Sequence, residues 1–329
     1  MKAPRAENKL NQSSYYNSLV DPFANHGAKI PDAACYPSST FAISFKLNLA
    51  ASLDTSGTTH FTGFMLDSWR PSSTLVEITS FDASTGAITY GLYPTGAPST
   101  LPGECAEWPQ VKQIYQRIRP VSAGIVLDPS MSSLSDQGTL IGVNIPTNSF
   151  SIGAPRYSAA TDPQYTNFTT LQNTFNSLRT PIKEGGMCVC YKPADETAFA
   201  YMTTDIVPSS ALSYYGGAVI FCTGLAAGAT LQMTVTINFE GVPRYSSLSL
   251  VSPTPSLRDG VELDHAINQL QTRPDVEAGP LATNKAKSVG KTGLTHHEPK
   301  QNGKSFATRL FDSVGSVASR VLPLLASFL

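Results

Sequence analysis

Between residues 41 and 49 the chain alternates strictly: Phe41, Ile43, Phe45, Leu47 and Leu49 are separated by Ala42, Ser44, Lys46 and Asn48. Successive side chains of an extended strand point to opposite faces, so this period of two predicts a strand with one buried face. One strand alone has nothing to bury that face against, and the chain must supply partners. Further β-rich runs fall at about 58 to 66, 74 to 80, 86 to 93, 117 to 127, 138 to 145, 187 to 191, 198 to 205, 217 to 223 and 231 to 240, with turn residues between them. Helical spacing is confined to about 107 to 116 (Trp108, Val111, Ile114, Tyr115) and about 168 to 178 (Leu171, Phe175, Leu178). Many strands and few helices predict an all-β sandwich or barrel rather than an α/β fold. Phe41, Ile43, Phe45, Val219, Phe221, Val235 and Ile237 are expected to share one core.

Two local pairings stand out. Asp82-Ala-Ser-Thr-Gly-Ala87 has hairpin turn chemistry between Leu75–Ser80 and Ile88–Leu92. Arg119–Leu127 and the run from Ser133 to Pro146 read as a second antiparallel hairpin across a Ser/Asp/Gln/Gly turn. Only 14% of the 329 residues are charged and the net charge is −1, which argues against a protein that coats nucleic acid over its whole surface. The five cysteines (Cys35, Cys105, Cys188, Cys190, Cys222) lack the CxxC spacing of a zinc site. Cys188 and Cys190, two apart in a strand-like run, are expected to be small buried hydrophobes on one face. The first residues lack the apolar core of a secretory signal, so synthesis in a reducing cytosol without structural disulfides is expected. The sequons Asn11-Gln-Ser13 and Asn167-Phe-Thr169 accordingly carry little weight.

The ends differ from the middle. Residues 1–35 read as an arm, with a stretch from Leu19 to Asp32 too rich in Pro and Gly for a regular element, whose Leu19, Val20, Phe23 and Ile30 must dock on something. Residues 36–243 hold the strands. Residues 244–303 are a polar, partly basic linker, expected to be extended or mobile apart from a short helix at about 261 to 270. Residues 304–329 then place Phe306, Leu310, Val314, Val317, Val321 and Leu324 on one helical stripe, predicting an amphipathic helix that Pro323 kinks or ends.

The order and spacing of three blocks carry a resemblance. The run 119–146 is followed by Arg179-Thr-Pro-Ile-Lys-Glu-Gly-Gly-Met-Cys-Val-Cys-Tyr-Lys-Pro193, then by Tyr215–Leu225 and Leu231–Pro243. Together they resemble the jelly-roll coat proteins of small icosahedral viruses, especially nodavirus-like and tombusvirus-like shells, over about residues 20 to 243. The resemblance implies an eight-stranded antiparallel jelly-roll sandwich with an N-terminal arm. It further implies self-assembly through sandwich edges and end loops into a T=3 icosahedral capsid around single-stranded RNA, as a virion component assembled in host cytoplasm. The arm would lie across a neighbouring copy or under the shell.

One departure from such coat proteins matters: the first 20 residues hold only Lys2, Arg5 and Lys9 rather than an arginine-rich arm. Lys285, Lys287, Lys291, Lys300, Lys304 and Arg309 are the alternative candidates for genome contact, by non-specific attraction to phosphates; the bland reading is a linker kept soluble by its charges. The terminal stripe resembles the membrane-active peptides of nodaviruses and tetraviruses, which act in host cell entry after cleavage at an Asn. Asn284 and Asn302 are the candidate sites, and neither has the Asn-Ala or Asn-Phe junction usual there. The alternative for the stripe is internal packing. Related shells also bind Ca2+ between subunits, which nominates Asp128, Asp136, Asp195 and Glu196, otherwise plain loop carboxylates.

An enzyme reading finds no residues to support it: there is no Gly-x-Ser-x-Gly elbow, P-loop or HExxH, and four of the five histidines (His26, His265, His296, His297) lie in the arm or tail, leaving His60 in a predicted strand. A lectin-like or adhesive jelly-roll binding protein is the alternative function. It leaves the tail and terminal stripe without a purpose.

Overall fold

The computed structural model describes residues 14–31, 36–66, 75–92, 108–129, 137–145, 167–174, 177–191, 201–204, 217–251, 253–255, 263–264, 266, 268, 276–279, 282, 284–285 and 293–297. In chain order the elements are helix α1 (Ser14–Val20), strands β1 (Pro37–Ala50), β2 (Ser52–Leu53), β3 (His60–Leu66), β4 (Leu75–Phe81) and β5 (Ile88–Leu92), helix α2 (Trp108–Ile114), strands β6 (Tyr115–Pro129) and β7 (Thr139–Ile145), and helix α3 (Phe168–Gln172). The chain continues with β8 (Ser177–Pro181), β9 (Met187–Tyr191), β10 (Met202–Thr203), β11 (Gly217–Leu225), β12 (Thr230–Pro243), β13 (Thr254–Pro255), β14 (Val276–Ala278) and β15 (Gly293–His297).

Two antiparallel sheets face each other. The first runs β13-β1-β12-β6-β9-β14, with β10 added to β6 and β15 to β1. The second runs β5-β4-β3-β11-β7-β8, with β2 on β3. Between them lies the main core: Phe41, Ile43, Ile125, Leu127, Val189, Val235 and Ile237 from the first sheet meet Phe64, Leu66, Leu140, Ile220 and Cys222 from the second. Each side chain of this size taken fully out of water contributes roughly 1.5 to 3 kcal/mol, which is what holds the layers together.

Both sheets are also covered on their outer faces, and this corrects the single-core expectation. Val219 and Phe221 do not face the main core. They pack with Phe61, Ile78, Phe81, Ile88, Ile141, Val143 and Leu171 on the far side of the second sheet, where Phe81 lies 5.1 Å from Phe221 between ring centroids. Alternation assigns residues to two faces, but β11 is apolar on both, so the pattern alone does not say which face looks inward. The hairpin β4–β5 forms as expected, with Phe81 opposite Ile88. Its turn is held by Asp82, which accepts from the backbone N–H of Ser84 at 2.8 Å and from the hydroxyls of Ser84 and Thr85 at 2.7 Å. The Ser84 hydroxyl, then that of Thr85, keeps this carboxyl down at about 2. The left-handed residue that the turn requires is Gly86, at φ 74°.

The second expected hairpin does not exist. β6 pairs with β12 and β9 in the first sheet, while β7 pairs with β11 and β8 in the second, so the two strands lie in different sheets. Nor does the helical spacing at 168 to 178 persist: α3 stops at Gln172, and Ser177–Pro181 forms β8 beside β7. Asn167 caps α3, accepting from the N–H of Thr169 at 2.9 Å and donating to Thr85 O at 3.2 Å, so the side chain of this sequon has a structural task.

The arm contains a regular element after all, and it docks on its own chain. Tyr15, Tyr16 and Leu19 of α1 pack with Ala28, Ile30, Val121 and Ala266 on the outer face of the first sheet. Phe23 inserts beside Val126, Cys188, Cys190 and Ala282. The two thiols are buried on one face as expected, 3.6 Å apart. Close approach is possible because Gly124 lies beneath: a Cβ there would sit 2.7 Å from the Phe23 ring and 2.8 Å from Pro22. Described parts of 244–303 are likewise engaged: β13 and β15 pair with β1, and β14 pairs with β9. Residues 263, 264, 266 and 268 are helical.

Docking of the arm is therefore expected to be a folding interaction. Phe23→Ala should lower unfolding free energy by about 3 to 5 kcal/mol in urea titrations. Gly124→Val should have an effect of the same sign by forcing the arm off the sheet. A variant as stable as the parent would contradict this packing.

Candidate functional site

Where the arm crosses the first sheet, two opposite charges lie out of contact with water, with a half-buried third beside them. Arg119 on β6 and Glu240 on β12 are opposite each other in register, and both side chains are 0% exposed. Arg119 Nη2 and Nε donate to Glu240 Oε2 at 2.7 and 2.9 Å. That same oxygen accepts from the backbone N–H of Ile30 at 3.3 Å, and Oε1 accepts from the Ser38 hydroxyl. Arg119 Nη2 also reaches Ile30 O at 3.4 Å, and its guanidinium carbon stands 4.2 Å from the centre of the Tyr201 ring. Lys29 closes the group, donating to the carbonyls of Ser38 and Thr254 and to Thr254 Oγ1.

A β-bulge sets this geometry. Ala123, Ile125 and Leu127 face the main core, so uninterrupted alternation would turn Arg119 inward as well. Asn238 pairs with Ser122 but Phe239 pairs with Pro120, leaving Val121 as the extra residue. Val121 and Ser122 then both face the arm, and Arg119 is shifted to the outer side with Glu240. Pro120 lacks an N–H and is tolerated in a central strand at such an irregularity.

Burial pulls the Lys29 ammonium below its ordinary range, opposed by Glu240 and reinforced by Arg119. Burial, with Glu240 adding to it, pushes the Tyr201 phenol well up. A second polar set continues along the same face. Asn238 Nδ2 donates to Pro22 O at 2.9 Å and to Ser122 Oγ at 2.8 Å, while its Oδ1 lies 2.8 Å from His26 Nδ1. Ser18 and Ser122 are joined by a 2.6 Å hydroxyl contact. The arrangement clamps chain segments together.

The sequence candidates fall differently. Lys285 is partly buried and bound within the subunit, its Nζ 2.6 Å from Glu277 Oε2 and 3.1 Å from Val20 O, so it is not part of a free cationic segment. Lys287, Lys291, Lys300, Lys304 and Arg309 lie outside the described residues, as do Phe306, Leu310, Val314, Val317, Val321 and Leu324. Of the calcium candidates, Asp128 sits near the end of β6 opposite Gln232, and Asp136, Asp195 and Glu196 lie outside the described residues. Among the described residues no group of three or more His, Cys, Asp or Glu side chains comes together. Sequence reasoning assigned no role to the Arg119–Glu240 pair, although a signal existed: each is a charge inside an otherwise strand-like run.

No protein-family model matches the chain, and no curated protein matches its sequence. Solved structures do match. T=1 particles derived from infectious bursal virus superpose with a TM-score of 0.55 at 10% identity, covering 83% of this chain and 95% of that one. The T13 particle of infectious bursal disease virus gives 0.54 at 11% identity, covering 83% and 94%. The chain shares its fold with the proteins of these virus particles. A VP2 subviral particle of the same virus agrees, with a TM-score of 0.53, 10% identity and coverage of 83% and 98%.

In this fold the buried pair should behave as a lock that tolerates joint but not single removal. Arg119→Met alone is expected to cost about 3 to 5 kcal/mol by stranding Glu240, and Arg119→Met with Glu240→Leu to recover most of that loss. Urea unfolding of the two variants checks it; equal stabilities would show that the pair is not coupled.

Proposed function

We propose that this chain is the coat protein of a small icosahedral virus and that its copies assemble into a closed shell. Strand order is the observation that carries the reading. The consecutive strands β1-β12-β6-β9 of the first sheet face β3-β11-β7-β8 of the second, so that sheet neighbours come from distant parts of the chain, which supports reading them as the two four-stranded halves of a jelly roll. The similarity in fold to infectious bursal disease virus particles supports it. Purified full-length protein should form large uniform particles by light scattering and negative stain. A monodisperse monomer that binds glycans would instead favour a lectin-like or adhesive protein.

Within that reading we take the shell as a T=3, nodavirus-like or tombusvirus-like one around single-stranded RNA, assembled in host cytoplasm; the order of motifs over 117–243 supports this. Lys287, Lys291, Lys300, Lys304 and Arg309 are its phosphate-contacting residues, Lys285 being committed to Glu277. Changing these five to Ala should lower the nucleic acid recovered per particle without altering urea stability. A calcium ion, if the shell uses one, would draw Asp128, Asp136, Asp195 or Glu196 from adjoining copies.

The terminal stripe fits a role at the host membrane during entry. A synthetic 304–329 peptide should become helical on lipid vesicles and release an entrapped dye, with Phe306→Asp or Leu310→Asp weakening both effects. A peptide that stays unordered beside sealed vesicles removes the membrane step.

A further inference from the structure

Beyond Pro243 the chain turns across one end of the first sheet, and its backbone there is pinned. The N–H of Arg244 donates to Ile114 O at 2.8 Å, its Nε to Lys112 O at 2.7 Å and its Nη2 to Thr204 Oγ1 at 3.3 Å. Ser247 Oγ donates to Gln113 O at 3.1 Å, and Tyr245–Ser247 forms a 3-10 turn between these anchors. Yet Tyr245 is 92% exposed, with Leu248 at 44% and Leu250 at 47%. Tyr36, at 46% exposure, stands at the start of β1 on the same end and meets Tyr201 edge-on at 5.8 Å. Leu53, beyond the opposite end of β1, is the other large apolar side chain this exposed among the described residues. Scattered exposed apolar residues are ordinary, but three of these sit within six residues on one hydrogen-bonded turn.

The chain returns to this same end. In β15 Gly293 lies opposite Ser44 and His297 opposite Thr40, so the strand runs toward the start of β1. β12 does likewise, with Gly241 opposite Ser39, and Thr254, just past Leu250, lies opposite Ser38. His297 thus pairs roughly 7 Å along β1 from Thr254, four residues past Leu250. From there the nine residues to Phe306 span up to about 30 Å when extended, ample to reach Tyr245. Phe306 opens the stripe that continues through Leu310, Val314, Val317, Val321 and Leu324.

We propose that the ledge of Tyr36, Tyr245, Leu248 and Leu250 is the docking site for the apolar stripe of residues 304–329 of the same chain. Docking removes both apolar surfaces from water at once and leaves Arg309, Asp312 and Arg320 outside the contact. Tyrosine suits such a rim, since its ring packs while its hydroxyl stays wet. The contact is intramolecular and does not depend on whether copies form a shell. It gives the stripe a sheltered place from which a membrane could later withdraw it.

Limited trypsin digestion of the full-length chain tests this, because Arg309 and Arg320 lie within the stripe segment. Cleavage at both should be slow in the parent chain. It should become at least tenfold faster in Tyr245→Ser/Leu248→Ser/Leu250→Ser and, equally, in Phe306→Asp/Leu310→Asp, while hydrogen exchange of β12 stays unchanged. Should the ledge variant fail to fold, the stripe variant decides alone. A parent chain cut as fast as the variants overturns the proposal. So does a ledge variant whose tryptic rates match the parent while its oligomers dissociate in light scattering, which would assign the ledge to a second copy. Protection seen only when phosphatidylcholine vesicles are added would overturn it in favour of a lipid surface.

Discussion

Arg119 and Glu240 are two full charges removed from water in the middle of a sheet, and such a pair is stable only if every remaining donor and acceptor is met. Its partners come from far apart in the chain. Ser38 is the second residue of β1, Ile30 belongs to the arm, and Tyr201 lies beside β10. Lys29 extends the group to Thr254 of β13. If the arm is absent, the N–H of Ile30 is lost from the carboxylate and the outer face of the sheet opens to water. The clamp thus makes the arm and the first C-terminal strand conditions of the fold rather than attachments to it.

That arrangement also bears on the edges of the sheet. A sheet edge with free N–H and C=O groups is a template for another strand. In the first sheet, β13 and β15 occupy much of the outer edge of β1, and β14 covers β9. The outer face of the same sheet is filled by α1 and Phe23. The edges of this sheet are therefore largely paired within the chain itself. Leu19, Phe23 and Ile30 of the arm are likewise buried against their own chain.

The strand positions are legible in the sequence because alternation is a local property. β1, β3, β6, β7, β9, β11 and β12 all overlap runs of β-branched and aromatic residues, and the Asp82–Gly86 turn arises from residue types that favour it. Cys188 and Cys190 can be placed on one buried face for the same reason. β8 is not legible: Leu178 sits at helical spacing from Leu171, and only pairing with β7 makes Ser177–Pro181 a strand. The Arg119–Glu240 pair is legible only as two oddly placed charges, since their contact spans 121 positions. The ledge at Tyr245, Leu248 and Leu250 falls in a stretch whose composition suggests only a polar linker, because exposure of three side chains on a pinned turn depends on α2 beneath them.

By itself the sequence determined that the chain is β-rich, where most strands lie and which residues alternate, all of which follow from extended backbone geometry within a few residues. Tertiary structure decided which face is inside. On β11 both faces are apolar, and packing sent Val219 and Phe221 outward while Ala218, Ile220 and Cys222 took the main core. On β6 the extra residue at Val121 reversed the phase and brought Arg119 to Glu240 instead of into the dry interior. A period of two carries no sign, and the sign is set by partners distant in the chain.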